Sequence, residues 1–307
     1  MAEKTAISWC DATANFWSGC TKVSLQCNNC YAERDTNRYA GKPVFETDRQ
    51  MVKNVWTNIP KWNKEAEKTG IRKRVFVMSL GDFFERLPEG HKDKEEMDDI
   101  RVLAMQLMEA STSLDFLVLT KRISNVKKMV FERWLTNWPK HIRLGISVGT
   151  QKDADRDIPR LLEIDCPNFL SMEPLLEWVR LRPEWISKYR YRSDVSGLYY
   201  TDPKAAGDHQ KLPRIEWVIT GGESGPQARP GHPDWYRLLR DQCVEASVPF
   251  HFKQWGEWCP LPAIDPHRYA SPVHTFEDGT RVCRVGRKIA GHLLDGVEHF
   301  AFPKETS

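Results

Sequence analysis

Six short, almost wholly apolar runs punctuate the chain: Arg74–Ser79 (RVFVMS), Asp115–Thr120 (DFLVLT), Arg143–Val148 (RLGISV), Asn168–Met172 (NFLSM), Ile215–Thr220 (IEWVIT) and Val248–Phe252 (VPFHF). They are rich in Val, Ile, Leu and Phe and show little in–out alternation, the pattern of strands buried on both faces of a parallel sheet. Helical patterns lie between them near Lys94–Ala110, Ser124–Trp134, Lys152–Ile164 and His232–Ala246. Ser124 reads as a helix N-cap, and Asp153 and Asp157 place acids near a helix start. Strands alternating with helices predict right-handed βαβ units and an α/β fold, either a barrel or an open doubly wound sheet.

Two stretches break that rhythm. Residues 187–213 are polar, Tyr-rich and weakly periodic, an insertion between strands. Residues 260–307 form a Pro/Gly-punctuated extension packed on a main domain of residues 1–259. No internal repeat is visible. A chain of 307 residues can bury a large core without disulfides, and its eight cysteines are too sparse for a secreted disulfide scaffold. A balance of 45 basic against 42 acidic side chains is too mild to imply a nucleic-acid coat protein and leaves room for a local basic groove. No apolar run approaches the ~18 residues of a membrane helix and the start MAEKTAISWC has no signal-peptide core, so a cytoplasmic protein without a membrane partner is expected.

In such a compartment, clustered cysteines are metal or redox ligands. Cys20, Cys27 and Cys30 fall at C-x6-C-x2-C, three thiols within eleven residues. A structural zinc site wants a fourth ligand at similar spacing, and the next histidine is His91. Three thiolates that leave one iron open fit a 4Fe–4S cluster able to bind a small molecule directly. A zinc site closed by distant Cys10, Cys259 or Cys283 stays open at this point, as do three plain reduced thiols; Cys10, Cys166, Cys259 and Cys283 together are a weaker candidate for a second cluster.

Polar groups collect where the predicted strands finish. Ser79 and Asp82 follow the first; Thr120, Lys121 and Arg122 the second; Ser147 and Thr150 the third. Ser171 and Glu173 end the fourth, Gly221, Gly222, Glu223 and Ser224 the fifth, and Lys253 and Gln254 the last. In parallel α/β folds the carboxyl ends of the strands carry the site. Each group also has a plain structural reading: Ser79 as a helix cap, Lys121 and Arg122 as a solvated turn, GGESG as a glycine turn. Glu173 resists such a reading, because a carboxylate on a buried strand needs a partner.

The run SGC…CxxCYAER resembles the cluster loop of radical S-adenosylmethionine (radical SAM) enzymes, in the spore photoproduct lyase and photolyase-like branch. Those begin with N-P-x-x-G-C and end with C-Y-A-R; their usual C-x3-C-x2-C has a first gap three residues shorter than the one here. More closely, the chain is similar to a phage- and bacterium-encoded family of unknown function called after its three-cysteine motif. Cys20–Glu33, MSLGDFF, LTKR, GISVGTQ, SMEPLL, ITGGESGPQARP and VPFHFKQWGEW carry that likeness over residues 5–260.

The resemblance implies a partial (β/α)6 TIM-like barrel with a C-terminal extension. It implies a 4Fe–4S cluster on Cys20, Cys27 and Cys30 and S-adenosylmethionine (SAM) as second cofactor. By the same likeness, Ser79, Lys121 and Ser147 contact SAM, with Lys121 on its carboxylate. Tyr31 lies near the adenine; Asp82, Thr150, Glu173, Gly221, Gly222 and Glu223 complete the binding set. Lys121, Glu173 and Glu223 are expected to carry catalysis. Many superfamily members place GGE after the second barrel strand, where Ser79 stands here; in the same count this chain has its GGE after the sixth, which points Glu223 to substrate rather than SAM. Implied partners are a one-electron reductant such as flavodoxin or ferredoxin, a nucleic-acid or nucleotide substrate, and a dedicated partner protein. Trp17, Trp56, Trp62, Trp134, Trp138, Trp235, Trp255 and Trp258 sit amid basic residues, a composition that can stack bases. Arg72 to Arg74, Lys127, Lys128, Arg190 and Arg192 add positive charge. The competing readings are a non-catalytic zinc or iron–sulfur module that recognises nucleic acid, and a redox sensor.

Overall fold

The computed structural model describes residues 5–40, 45–188, 191–192, 199–200, 212–261 and 272–304. Seven parallel strands carry the fold: β1 (Ala12–Ala14), β2 (Lys73–Val77), β3 (Leu114–Thr120), β4 (Ile142–Ser147), β5 (Asn168–Met172), β6 (Val218–Gly221) and β7 (Phe250–Gln254). The chain divides into two compact units. One comprises Met1–Ile146, Ile164–Asn168 and Thr306–Ser307, the other Ser147–Glu163 and Phe169–Glu305.

In the first unit the strands run β1-β2-β3-β4, with Ala12 opposite Val75, Val75 opposite Phe116 and Phe116 opposite Ile142. Val75, Val77, Phe116 and Leu144 are fully buried, as unalternating apolar strands should be. Helix α1 (Tyr31–Ala40) follows the cysteine loop, and α2 (Val55–Thr69) and α3 (Lys94–Ala110) precede β2 and β3. On α2 the buried Val55, Ile59, Trp62 and Ala66 recur at helical spacing, and Gly70 at φ 67° ends the helix in the left-handed conformation that glycine adopts without strain. Burial of an apolar side chain of this size stabilises by about 1.5–3 kcal/mol, so this one face anchors the helix. The Ser124–Trp134 pattern is two helices, α4 (Ile123–Met129) and α5 (Glu132–Thr136), because Val130 turns to extended backbone. The α4 N-cap is Arg122 and not Ser124.

In the second unit the order is β5-β6-β7, with Val218 opposite both Leu170 and Phe250. Helix α6 (Gln151–Leu161) is capped by Thr150, whose Oγ1 accepts from the Asp153 N–H at 3.2 Å. Between β5 and β6 the described residues include a short helix, α7 (Pro183–Ile186). Helix α8 (Pro233–Glu245) starts with Pro233 in its first turn and His232 as N-cap. Residues after β7 build a three-stranded antiparallel sheet from Trp258–Pro260, Arg281–Arg284 and Val273–Thr275. Further on, the Phe252 N–H donates to His299 O and the Ala301 N–H to Phe250 O, which covers β7.

Within each unit strand order follows chain order without reversal. That is barrel winding; a doubly wound sheet reverses at a switch point. The fold is therefore α/β of the partial-barrel class, with one strand more than the six apolar runs indicated. The extra strand, β1, is the short tripeptide Ala-Thr-Ala, buried yet lacking the bulky residues that mark a strand in sequence. Only Arg192 of the pair Arg190 and Arg192 lies among the described residues, and most of the 187–213 insertion falls outside them. Among the described residues no helix is long and apolar enough to cross a membrane.

Candidate functional site

The loops leaving β1 and β2 are laced together in the first unit. The Met78 N–H donates to Ala14 O at 2.8 Å and the Gly19 N–H to Leu80 O at 2.9 Å. Buried Asn15 accepts the Leu80 N–H at 2.8 Å and donates to Ser79 Oγ at 3.1 Å. A Cβ on Gly81 would lie 3.1 Å from Gly19 O and would push the Met78 side-chain end aside from 2.6 Å, so glycine eases this close approach. The lacing fixes Cys20 at the strand ends.

Cys20 and Cys30 both pack against the small cluster of Ala32 and Phe45, together with Leu80. The Tyr31 hydroxyl donates to Ser79 O at 3.0 Å, tying the start of α1 to the end of β2. The thiols differ in environment. Burial pushes the Cys20 thiol up to about 12, against the opposing charge of Arg122. Burial also opposes ionisation of Cys27, but the Lys121 charge, the Ser24 hydroxyl and backbone N–H groups outweigh it and bring this thiol below its ordinary value. Metal-free protein at pH 8 should therefore react with iodoacetamide at Cys27 before Cys20, as followed by peptide mass spectrometry. Faster labelling of Cys20 would contradict the assignment.

Behind the cysteines lies a charge network. Asp82 accepts from Thr120 Oγ1 at 2.7 Å, the Lys121 N–H at 2.9 Å, Arg122 Nη1 at 2.9 Å and the Phe84 N–H at 3.0 Å. Glu85, fully buried, accepts from Arg49 Nε at 2.7 Å and Nη2 at 2.9 Å, from Thr21 N–H and Oγ1 at 2.8 Å each, and from Arg122 Nη2 at 3.3 Å. Arg122, 9% exposed, also reaches Cys20 Sγ at 3.3 Å and Thr21 O at 2.8 Å. Two guanidinium groups thus face two carboxylates with their hydrogen-bonding capacity largely used, the condition for burying charge. Sequence reasoning placed Asp82 on a ligand, whereas its oxygens serve this network. It missed Glu85 and Arg49, and it counted Arg122 among the strand-end polar groups while leaving a solvated turn open. The paired acids in GDFFER beside LTKR were the available signal.

The strand-end residues of the second unit form their own group. Glu173 pairs with Lys253 Nζ at 3.1 Å, and Ser171 Oγ donates to it at 3.4 Å. Gly221 lies beside them; a Cβ there would come 3.3 Å from Glu173 Oε1. Gly222 is pressed against the next loop so closely that a Cβ would sit 1.9 Å from Trp255 O. Buried Glu223 accepts from the Arg229 N–H at 2.8 Å, Nε at 2.9 Å and Nη2 at 2.6 Å, a clamp across the GGESGPQARP loop. Ser147 is buried beside Val148, whose N–H donates to Ser171 O, and Thr150 is a helix cap.

Five of the eight tryptophans noted for stacking, Trp17, Trp62, Trp134, Trp138 and Trp255, are core residues. Arg72 pairs with Asp115, Arg74 with Asp11 and Lys73 with Glu65, and Lys127 and Lys128 are exposed. Of the four cysteines considered for a second cluster, Cys259 and Cys283 face each other across antiparallel strands. Cys10 and Cys166 are buried in the other unit.

The donor set of the cysteine loop fits an iron–sulfur cluster. Among the described residues the one group of three or more Cys, His, Asp or Glu with all ligand atoms within 4.8 Å is His232, Asp234 and Asp278. Three thiols carried by one loop are the donor chemistry that an iron–sulfur cluster takes. His232 itself is engaged at both nitrogens, Nδ1 accepting the Asp234 N–H at 3.1 Å and Nε2 bonded to Asp278 at 3.0 Å.

A family model described as "Protein of unknown function (DUF5131)" matches residues 4–303. No curated protein matches. Among solved structures, a spore photoproduct lyase mutant aligns with TM-score 0.40 and 10% identity, covering 88% of this chain and 67% of that one. Another mutant, with dinucleoside spore photoproduct, aligns with TM-score 0.38 and 9% identity over the same shares. At that level the likeness carries no chemical information about this chain.

Proposed function

Because the chain belongs to the DUF5131 family over residues 4–303, we propose a reading from its own side chains: a radical SAM enzyme whose Cys20, Cys27 and Cys30 hold a 4Fe–4S cluster. The observation that carries it is the three-thiol loop, with Cys20 and Cys30 packed against one small cluster and a guanidinium on Cys20. When bound, such a cluster supplies the electron that splits the sulfonium of SAM and delivers a carbon radical able to take hydrogen from an unactivated C–H bond.

The protein's share is binding and orientation. Lys121 carries a cationic ammonium whose field reaches Cys27, suited to the carboxylate of the methionine moiety. Tyr31 and Ser79, joined by a hydrogen bond, offer an aromatic face and a hydroxyl on the same unit, suited to adenosine. Glu173, paired with Lys253, is proposed to orient a substrate group, while Glu223 keeps its loop closed through Arg229. The proposal extends to a nucleic-acid or nucleotide substrate, supported by exposed Lys127 and Lys128, and to a flavodoxin- or ferredoxin-like reductant.

Anaerobic reconstitution with iron and sulfide, followed by dithionite and SAM, tests the reading. The expected result is a brown protein with four irons per chain and formation of 5′-deoxyadenosine. One tightly bound zinc, no colour and no SAM cleavage would favour the non-catalytic metal module; colour lost in air without SAM cleavage would favour the sensor.

A further inference from the structure

We propose that Arg122 is a positioning residue of the cysteine centre, its guanidinium holding Cys20 by an N–H···S bond and thereby raising the reduction potential of the cluster. The inference rests on the cluster reading above and concerns how this chain tunes it. Arg122 Nη1 is shared between Cys20 Sγ at 3.3 Å and Asp82 at 2.9 Å. Nη2 takes Thr21 O at 2.8 Å, Thr21 Oγ1 at 2.9 Å and Glu85 at 3.3 Å. One planar group thus grips the Cys20–Thr21 segment along two edges, which lysine, a point charge, cannot do.

The grip is itself held. Asp82 and Glu85 orient the guanidinium, and Arg49 balances the second carboxylate, so the four charges sum to zero before any negative charge gathers on Cys20. A cluster electron adds such charge within contact distance of Arg122, in a buried setting where charges interact strongly. Stabilising the more negative, reduced state raises the potential, and hydrogen bonds to cluster sulfurs are an established means of setting it. Cys27 lies instead near the Ser24 hydroxyl at 3.5 Å, and Cys30 shares with Cys20 the packing against Ala32 and Phe45.

The test compares wild-type chain with Arg122→Lys and Arg122→Gln, each reconstituted anaerobically and titrated with dithionite under EPR. Iron content near wild type with a lower midpoint potential, further lowered in Arg122→Gln than in Arg122→Lys, is the expected outcome. Variants that melt as wild type does, hold four irons and keep the wild-type potential would reduce Arg122 to a structural strut. Should the variants fail to fold, pulsed EPR on reduced wild-type protein labelled with 15N-arginine decides: a 15N coupling to the cluster supports the contact and its absence overturns it. A wild-type chain that takes up no iron at all overturns the cluster reading and this inference together, a result distinct from an iron-replete protein with an unmoved potential.

Discussion

Replacing any one of Cys20, Cys27 or Cys30 with alanine should abolish stable cluster binding and reduce 5′-deoxyadenosine formation to background. Each of the three thiolates would hold a separate iron, and no other described cysteine stands ready to substitute: Cys10, Cys166, Cys243, Cys259 and Cys283 are all buried elsewhere in the fold. Ligand loss is therefore not compensated locally, and the remaining two thiolates would leave a second iron exposed to exchange. Iron and sulfide content, visible absorbance and chromatographic detection of the nucleoside check this directly. The fold should survive, since Cys20 and Cys30 are only partly buried and border a small cluster apart from the strand core. Three variants that retain wild-type iron would remove the basis of the proposed function.

Glu85→Ala should be the most destabilising single change in the network, costing about 3–5 kcal/mol, the usual penalty for breaking a buried ion pair from one side. Glu85 is fully buried and accepts from Arg49, Arg122 and Thr21, so its removal leaves Arg49 without its buried counter-charge and frees the loop that carries Cys20. Exposed Glu67 on α2 offers a control, where alanine should change stability by no more than about 0.5 kcal/mol. Urea unfolding of both variants reads the difference. A Glu85→Ala loss as small as that of the control would show that the network contributes little. Iron uptake by Glu85→Ala should also fall, because Thr21 loses both of its bonds to Glu85 and is then held by the Arg122 contacts.

The course of β2 to β7 was legible because unalternating apolar runs are a local signal, and each such run marks a strand. β1 was hidden, since Ala-Thr-Ala carries no strand signature and is defined by its pairing with Val75, Phe76 and Val77. The demand that Glu173 find a partner was also legible, but the identity of that partner, Lys253, lies 80 positions along the chain. The solvated-turn alternative for Arg122 failed for the same reason. Its neighbours in sequence suggest a solvated turn, while Asp82 and Glu85, 40 and 37 residues earlier, make burial tolerable. The tryptophans next to lysines and arginines were misleading in the opposite sense. A flanking charge does not stop a large indole from entering the core, and those of Trp17 and Trp62 are within 1% of full burial.

By itself the amino-acid sequence determined a parallel α/β chain and a loop that crowds three thiols together, because strand burial and covalent spacing are properties of neighbouring residues. Only the tertiary structure decided which charges cancel: Arg122 against Asp82 and Glu85 beside Cys20, Lys253 against Glu173, Arg229 against Glu223. Most of those choices join residues tens of positions apart, and all depend on the low-dielectric contact that folding alone creates.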